Sequence, residues 1–214
     1  TQYRDPRLLR LIAVFAYSGA EQGFLYSNFT AGVIAPGHGP RGVAICMVAF
    51  GVLDVVTAAA TGRIFNRLGR RVGFVIGAVP QAAFLGYYGW REVRGMPPTE
   101  LSLPFLAASV ALYGVGDAIM NTLPPTLIGD AFPTPGAAQD LAFANFKFVQ
   151  SLVFALAFAL ATATSLRTKF VAMIVLLALA VTQTMLCAPR EPAHEGQSAR
   201  AGKRRDVESE RLLA

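Results

Sequence analysis

Charge is scarce in this chain. Of its 214 residues only 15% are Asp, Glu, Lys or Arg, whereas 54% are hydrophobic. Soluble domains run near 25% charged, so these residues do not furnish an ordinary water-facing surface, and a soluble enzyme is disfavoured. Cysteine is nearly absent. Cys46 and Cys187 stand far apart and build neither a disulfide framework nor a metal site. Histidine is equally rare: His38 and His194 both lie outside the long apolar runs. That removes an intramembrane histidine relay and leaves no nucleophile–base–acid set for a hydrolase. No enzymatic activity, metal or cofactor is expected.

What is abundant is apolar sequence in long runs. Six can be drawn, at about 8–35, 41–62, 72–90, 101–128, 141–164 and 170–188. A helix needs ~20 residues to cross the hydrocarbon core of a bilayer. Membrane-spanning strands would be half as long and would alternate in polarity. The expected fold class is therefore all-α, with six transmembrane helices forming a domain over 1–188. A polar tail over 189–214 has no apolar periodicity and is expected to be disordered and cytosolic.

The net charge is +6. Its basic residues sit between and after the apolar runs, which points to membrane orientation rather than nucleic acid. One side of the bundle receives Arg41, Arg91, Arg94, Arg167 and Lys169. The other receives Arg4, Arg7, Arg10, Arg63, Arg67, Arg70 and Arg71, together with the tail's basic residues. The richer side is cytosolic by the positive-inside rule, so both chain ends are expected in the cytosol. Whether the membrane is the plasma membrane or an internal one stays open.

Small residues recur one turn apart at Gly19 and Gly23, Gly73 and Gly77, and Ala155, Ala159 and Ala163. Such spacing lets helix backbones approach closely in lipid, so these are expected packing faces. Pro124 and Pro125 are expected to end the fourth helix early. Asn28-Phe29-Thr30 fits a glycosylation acceptor but lies at the end of an apolar helix, too close to the membrane for modification. Cys187, at the edge of the last helix, is a weak candidate for palmitoylation.

Four ionisable residues fall inside the runs: Glu21, Asp54, Asp117 and Lys147. A charge at mid-membrane costs at least ~2.5–3.5 kcal/mol even on insertion scales, so each needs a partner, water or a proton. Glu21 and Asn28 share one helix face, as do Asp117 and Asn121. Lys147 shares its face with Gln150 and Ser151, and Asp54 shares its face with Thr57 and Thr61. Glu21, Asn28, Asp117, Asn121 and Lys147 are the candidates for a substrate or coupling-ion site. An Asp117–Lys147 pair facing the interior could equally be structural. Asp54 reads as more structural than functional.

Between the second and third runs stands Gly62-Arg63-Ile64-Phe65-Asn66-Arg67-Leu68-Gly69-Arg70-Arg71. It resembles the loop signature of the major facilitator superfamily, with Asn66 where that family usually has Asp. Gly62 and Gly69 would allow tight turns and close helix contact, and Arg67, Arg70 and Arg71 would meet headgroups, helix ends or acidic groups. Asn66 can cap a helix but cannot make the family's ion pair. Three further stretches resemble the uncoordinated-93-like branch of that superfamily: Ser18 to Phe24 with Asn28-Phe29-Thr30, Tyr113 to Ala118 with Asn121-Thr122, and Ala142 to Ser151. Leu123-Pro124 departs from the glutamine expected after Asn-Thr.

The resemblance implies the second half of a twelve-helix fold, built as two inverted three-helix repeats. It implies an N-terminal six-helix half, or a second copy, as a partner alongside the bilayer. Members of this branch regulate potassium-channel complexes or escort other membrane proteins. Regulation or trafficking of partner membrane proteins is therefore the leading expectation. A solute transporter half, proton-coupled through Glu21, Asp117 and Lys147, is the alternative, and a structural subunit of a membrane assembly is the third. In the tail, Glu208 followed by Leu212 and Leu213 resembles a dileucine sorting signal.

Overall fold

In the computed structural model of the chain, residues 6–187 are described. The sorting-signal candidate Glu208, Leu212 and Leu213, the rest of the tail and the Cys187 side chain lie outside them. A short turn of helix, α1 (Pro6–Leu9), leads into α2 (Ile12–Gly23), which continues as a π-helix over Phe24–Ile34. The remaining helices are α3 (Ala35–Leu68), α4 (Arg70–Val93), α5 (Leu103–Ala131), α6 (Ala137–Ala159) and α7 (Leu166–Cys187). No strand occurs among the described residues.

Five helical stretches are long and apolar enough to cross a membrane, the first being Ile12–Leu68. That stretch is two antiparallel limbs. Gly39 has φ 60° and ψ −166°, a left-handed conformation that favours glycine, and Pro40 follows it. The chain folds back there, so the Tyr26 ring meets the Phe50 ring edge-on at 5.9 Å. The imidazole Nε2 of His38 donates to the Leu101 carbonyl at 2.7 Å, tying this turn to the approach to α5. Six limbs result, close to the six runs in the sequence.

The limbs pack in an ordered pattern. The first lies on α6 and α7, the second on α5, and α4 on both α5 and α7. Exchanging limbs one, two and three for four, five and six maps these contacts onto one another, as expected for two related three-helix repeats. Glycines set the closest crossings. A Cβ on Gly19 would collide with the Gln150 carbonyl oxygen, and one on Gly23 would stand 2.6 Å from the Ala157 Cβ. Gly77 meets Ile119 in the same way across α4 and α5.

Two sequence expectations fail here. The row Ala155, Ala159 and Ala163 is exposed rather than covered by a neighbouring helix of this chain. The fourth helix does not end at Pro124 and Pro125 but runs on to Ala131. Leu123, Leu127 and Ile128 are buried across the proline pair, and the Thr126 hydroxyl bonds the Leu123 carbonyl at 2.7 Å. Packing of these side chains holds the turn that the missing amides of Pro124 and Pro125 would otherwise loosen.

Candidate functional site

A seam of polar side chains runs through the apolar bundle. Glu21 is fully buried on α2. Its Oε2 accepts a hydrogen bond from Gln81 Nε2 on α4. The Gln81 carbonyl in turn accepts from the Tyr17 hydroxyl at 2.7 Å. The Tyr113 hydroxyl of α5 approaches the Glu21 backbone carbonyl at 3.5 Å. Glu21 Oε1 is buried with no hydrogen-bond partner. Gly77 and Gly116 let α4 and α5 close on each other, with the Gln81 side chain against Gly116.

The second part of the seam starts at Lys147, which is exposed on α6. Its Nζ donates to Gln150 Oε1 at 2.8 Å and lies 4.6 Å from the centre of the Phe146 ring. Gln150 Nε2 donates to Asn121 Oδ1 at 2.9 Å and to Ser18 Oγ at 2.8 Å. Ser18 also donates to Asn121 Oδ1 at 3.0 Å. Asn121 Nδ2 then donates to Asp117, both to its Oδ2 and to its backbone carbonyl, each at 3.0 Å. Asp117 Oδ1 remains buried without a partner. The sequence suggests a direct Asp117–Lys147 pair with both groups facing the interior. The structure corrects this: Lys147 is at the surface, and two amides stand between it and the acid. Asn145 and Phe146 are buried, and the helix then turns Lys147 and Phe148 outward before Gln150 comes round to the interior again.

One helix turn before Asp117 on α5, Gly114 packs against the backbone of Asp54 on α3. This meeting of α3 and α5 depends on Gly114, where a Cβ would stand 2.7 Å from the Phe50 carbonyl oxygen and 3.4 Å from the Asp54 amide nitrogen. Asp54 is half-buried and lines an open groove of about 530 Å³ with Tyr26, Thr30 and Phe50. Glu21, Asp54 and Asp117 thus stand on three helices, α2, α3 and α5, of which α5 packs on both of the others. Asn28 stands apart from them. Its amide donates to Ser27 Oγ at 2.9 Å and to the Ala157 carbonyl at 3.3 Å, and its Oδ1 is buried and unpartnered. Asn28 and Thr30 are both buried, which leaves no room for a glycan.

The loop motif lies at one end of the bundle. Gly69 has φ 79° and makes the turn between α3 and α4 that only glycine adopts readily. Gly62 does not act in the same way: it is mid-helix, exposed, and a Cβ there would meet nothing. Asn66 and Arg67 are exposed. Arg70, the first residue of α4, forms an ion pair with Asp130 at the end of α5. Arg71 is half-buried.

Tyr17, Gln81, Tyr113 and Ser18 belong to the seam but are not candidates from sequence. Gln81 carries a signal, as an uncharged polar residue in the middle of an apolar run. The tyrosines carry none, because their rings are as apolar as their neighbours.

Residues 11–213 match the Major Facilitator Superfamily. The chain belongs to that superfamily. It is 32% identical to "Protein unc-93 homolog A" of Danio rerio over 89% of this chain and 39% of the relative. It is 33% identical to "UNC93-like protein 3" of Arabidopsis thaliana over 86% of this chain and 39% of the relative. It is 26% identical to "Putative potassium channel regulatory protein unc-93" of Caenorhabditis elegans over 72% of this chain and 21% of the relative. The chain therefore spans about two fifths of the length of the first two relatives. No solved structure matches it. The superfamily, the UNC93-like relatives and the apolar helices together identify an integral, multi-pass membrane protein.

Proposed function

We infer that this chain is the C-terminal six-helix half of an UNC93-like protein that acts on partner membrane proteins, ion channels among them, rather than catalysing a reaction. The observation that carries this reading is the state of Glu21. Its carboxylate is fully buried and held by Gln81 from another helix. An acid used in this way knits helices together instead of lining a chamber. The role named for the worm relative, potassium-channel regulation, agrees with it. Fold membership alone names no activity.

A second reading, a proton-coupled solute transporter half, is favoured by one specific feature. Glu21 Oε1 and Asp117 Oδ1 are buried and unpartnered, and intramembrane acids of that kind mark proton routes. Both readings are tested together. The full-length protein is expressed with a potassium channel and the channel current is recorded. In parallel the purified protein is reconstituted and assayed for proton-driven uptake. Altered channel current or surface density without proton-driven flux is the expected result. Flux that disappears in Glu21→Gln, with the channel unaffected, would establish the transporter reading in its place.

A further inference from the structure

At the end of the bundle that carries Arg70, a cavity of about 920 Å³ opens between α1, the start of α2, and the ends of α5 and α7. Its polar wall presents hydrogen-bond donors. Arg7 and Arg10 are exposed there. The Arg7 guanidinium donates to the Ala131 carbonyl at 3.1 Å and lies 4.1 Å from the centre of the Phe132 ring. Gln183 uses its side-chain carbonyl on the Ala13 amide at 2.9 Å, which leaves its amide hydrogens as the donors on this wall. Asp130 also lines the cavity, but its carboxylate is paired with Arg70 and does not confront an entering anion as an isolated charge. The apolar wall includes Leu9, 51% exposed, and Leu186, 77% exposed.

We propose that this cavity binds the headgroup of an anionic phospholipid, with the phosphate between Arg7, Arg10 and the Gln183 amide and the first acyl carbons against Leu9 and Leu186. A phosphate is an acceptor-only group, matched to two guanidiniums and an amide, and arginine holds it through charge-assisted bonds. The volume lies within the range of small-molecule sites. The apolar wall is what distinguishes a lipid from a free phosphate: two large side chains exposed beside a cationic wall suit an occupant that is charged at one end and oily at the other. The basic side of the bundle is the one expected to face the cytosol, where anionic lipids concentrate and where basic pockets between membrane helices take acidic headgroups.

The test uses the full chain in detergent micelles. Thermal unfolding is followed while dioctanoyl phosphatidylinositol 4-phosphate is added. Dioctanoyl phosphatidylcholine serves as the net-neutral control, and the deacylated headgroup, glycerophosphoinositol 4-phosphate, as the soluble anion. The inositide is expected to raise the unfolding temperature saturably and the other two to have little effect. Arg10→Gln changes an exposed residue and should weaken half-saturation about tenfold or more, while Arg10→Lys keeps most of the effect. Native mass spectrometry of the same samples should show one retained anionic lipid, lost in Arg10→Gln. An equal response of wild type and Arg10→Gln, or no response in either, overturns the site. A response to the deacylated headgroup as strong as to the lipid overturns the lipid as its occupant.

Discussion

Lys147 and Asp117 are joined through two side-chain amides, with no direct contact between their charges. The order of donors is consistent along the whole line. The lysine ammonium donates to the Gln150 carbonyl, the Gln150 amide donates to the Asn121 carbonyl, and the Asn121 amide donates to the Asp117 carboxylate. Each amide dipole therefore points its negative end at the cation and its positive end at the anion. Such a line spreads a charge pair across α5 and α6 while the lysine stays at the surface. It also binds α2, because Ser18 enters at the same junction.

This arrangement predicts that the amide, not the ion pair, holds the helices. Gln150→Leu leaves Ser18, Asn121 and Lys147 each short of a partner, and should lower stability by ~1–3 kcal/mol. Lys147→Met at the exposed end should cost well under half of that. A double-mutant cycle of Asp117→Asn with Lys147→Met should give a coupling of less than ~1 kcal/mol. Chemical unfolding in detergent measures all of these. A coupling several times larger would mean that the two charges act as a direct buried pair.

The Glu21–Gln81 contact yields a second expectation. Gln81→Leu removes the donor to Glu21 and the acceptor of the Tyr17 hydroxyl in one step, in a fully buried place. Leaving a buried acceptor unsatisfied costs more than the net gain of the bond, so a loss of ~1–3 kcal/mol is expected. In the Glu21→Leu, Gln81→Leu double variant both partners are apolar and part of the loss should return. Unfolding temperatures of the two variants and of Glu21→Leu alone provide the check.

The fold was largely legible because membrane helices announce themselves by length. Six runs became six limbs, and the close crossings at Gly19, Gly23 and Gly77 followed from small residues one turn apart. The same rule misled at Ala155, Ala159 and Ala163, since spacing reports which residues share a face and not whether that face is covered. Pro124 and Pro125 misled for a related reason: a local rule about missing amides was outweighed by burial of Leu123, Leu127 and Ile128. At the site, Glu21, Asp117 and Asn121 were found from polarity alone, but their partners were not. Gln81 lies sixty residues from Glu21 in sequence, and no periodicity connects two helices. Lys147 was placed inward because its helical face was judged by neighbours of mixed exposure.

Glycine substitutions separate packing from mere presence. Gly19→Ala puts a methyl group into the Gln150 carbonyl, and backbone cannot swing aside as a side chain can. It should push α2 off α6, with a stability loss of ~1–3 kcal/mol, in the range of overpacked cores. Gly62→Ala meets no atom within 4 Å and sits mid-helix, where alanine is favoured by ~1 kcal/mol. It should be neutral or stabilising. Expression level and monodispersity of the two variants, measured side by side, are enough to tell them apart.

The ion pair between Arg70 and Asp130 provides the last prediction. It fastens the start of α4 to the end of α5, beside the turn at Gly69 that joins α3 to α4. Both side chains are partly exposed, at 21% and 35%, so solvent screens their attraction. Pairs of that kind contribute ~0.2–1 kcal/mol, and the effect on stability of Arg70→Ala or Asp130→Ala should be no larger. The contact should matter more for geometry than for stability, because it ties two helices together at one end of the bundle. Exchanging the residues, Arg70→Asp with Asp130→Arg, tests this. Either change alone places two like charges together and should raise the rate at which a cysteine introduced at Ile119, against Gly77, is labelled by a small thiol reagent. The exchange should bring labelling back toward the wild-type rate while leaving net charge unchanged. If labelling in the exchanged protein stays as fast as in the single variants, the pair does not hold α4 against α5, and packing at Gly77 and Gly116 sets that interface.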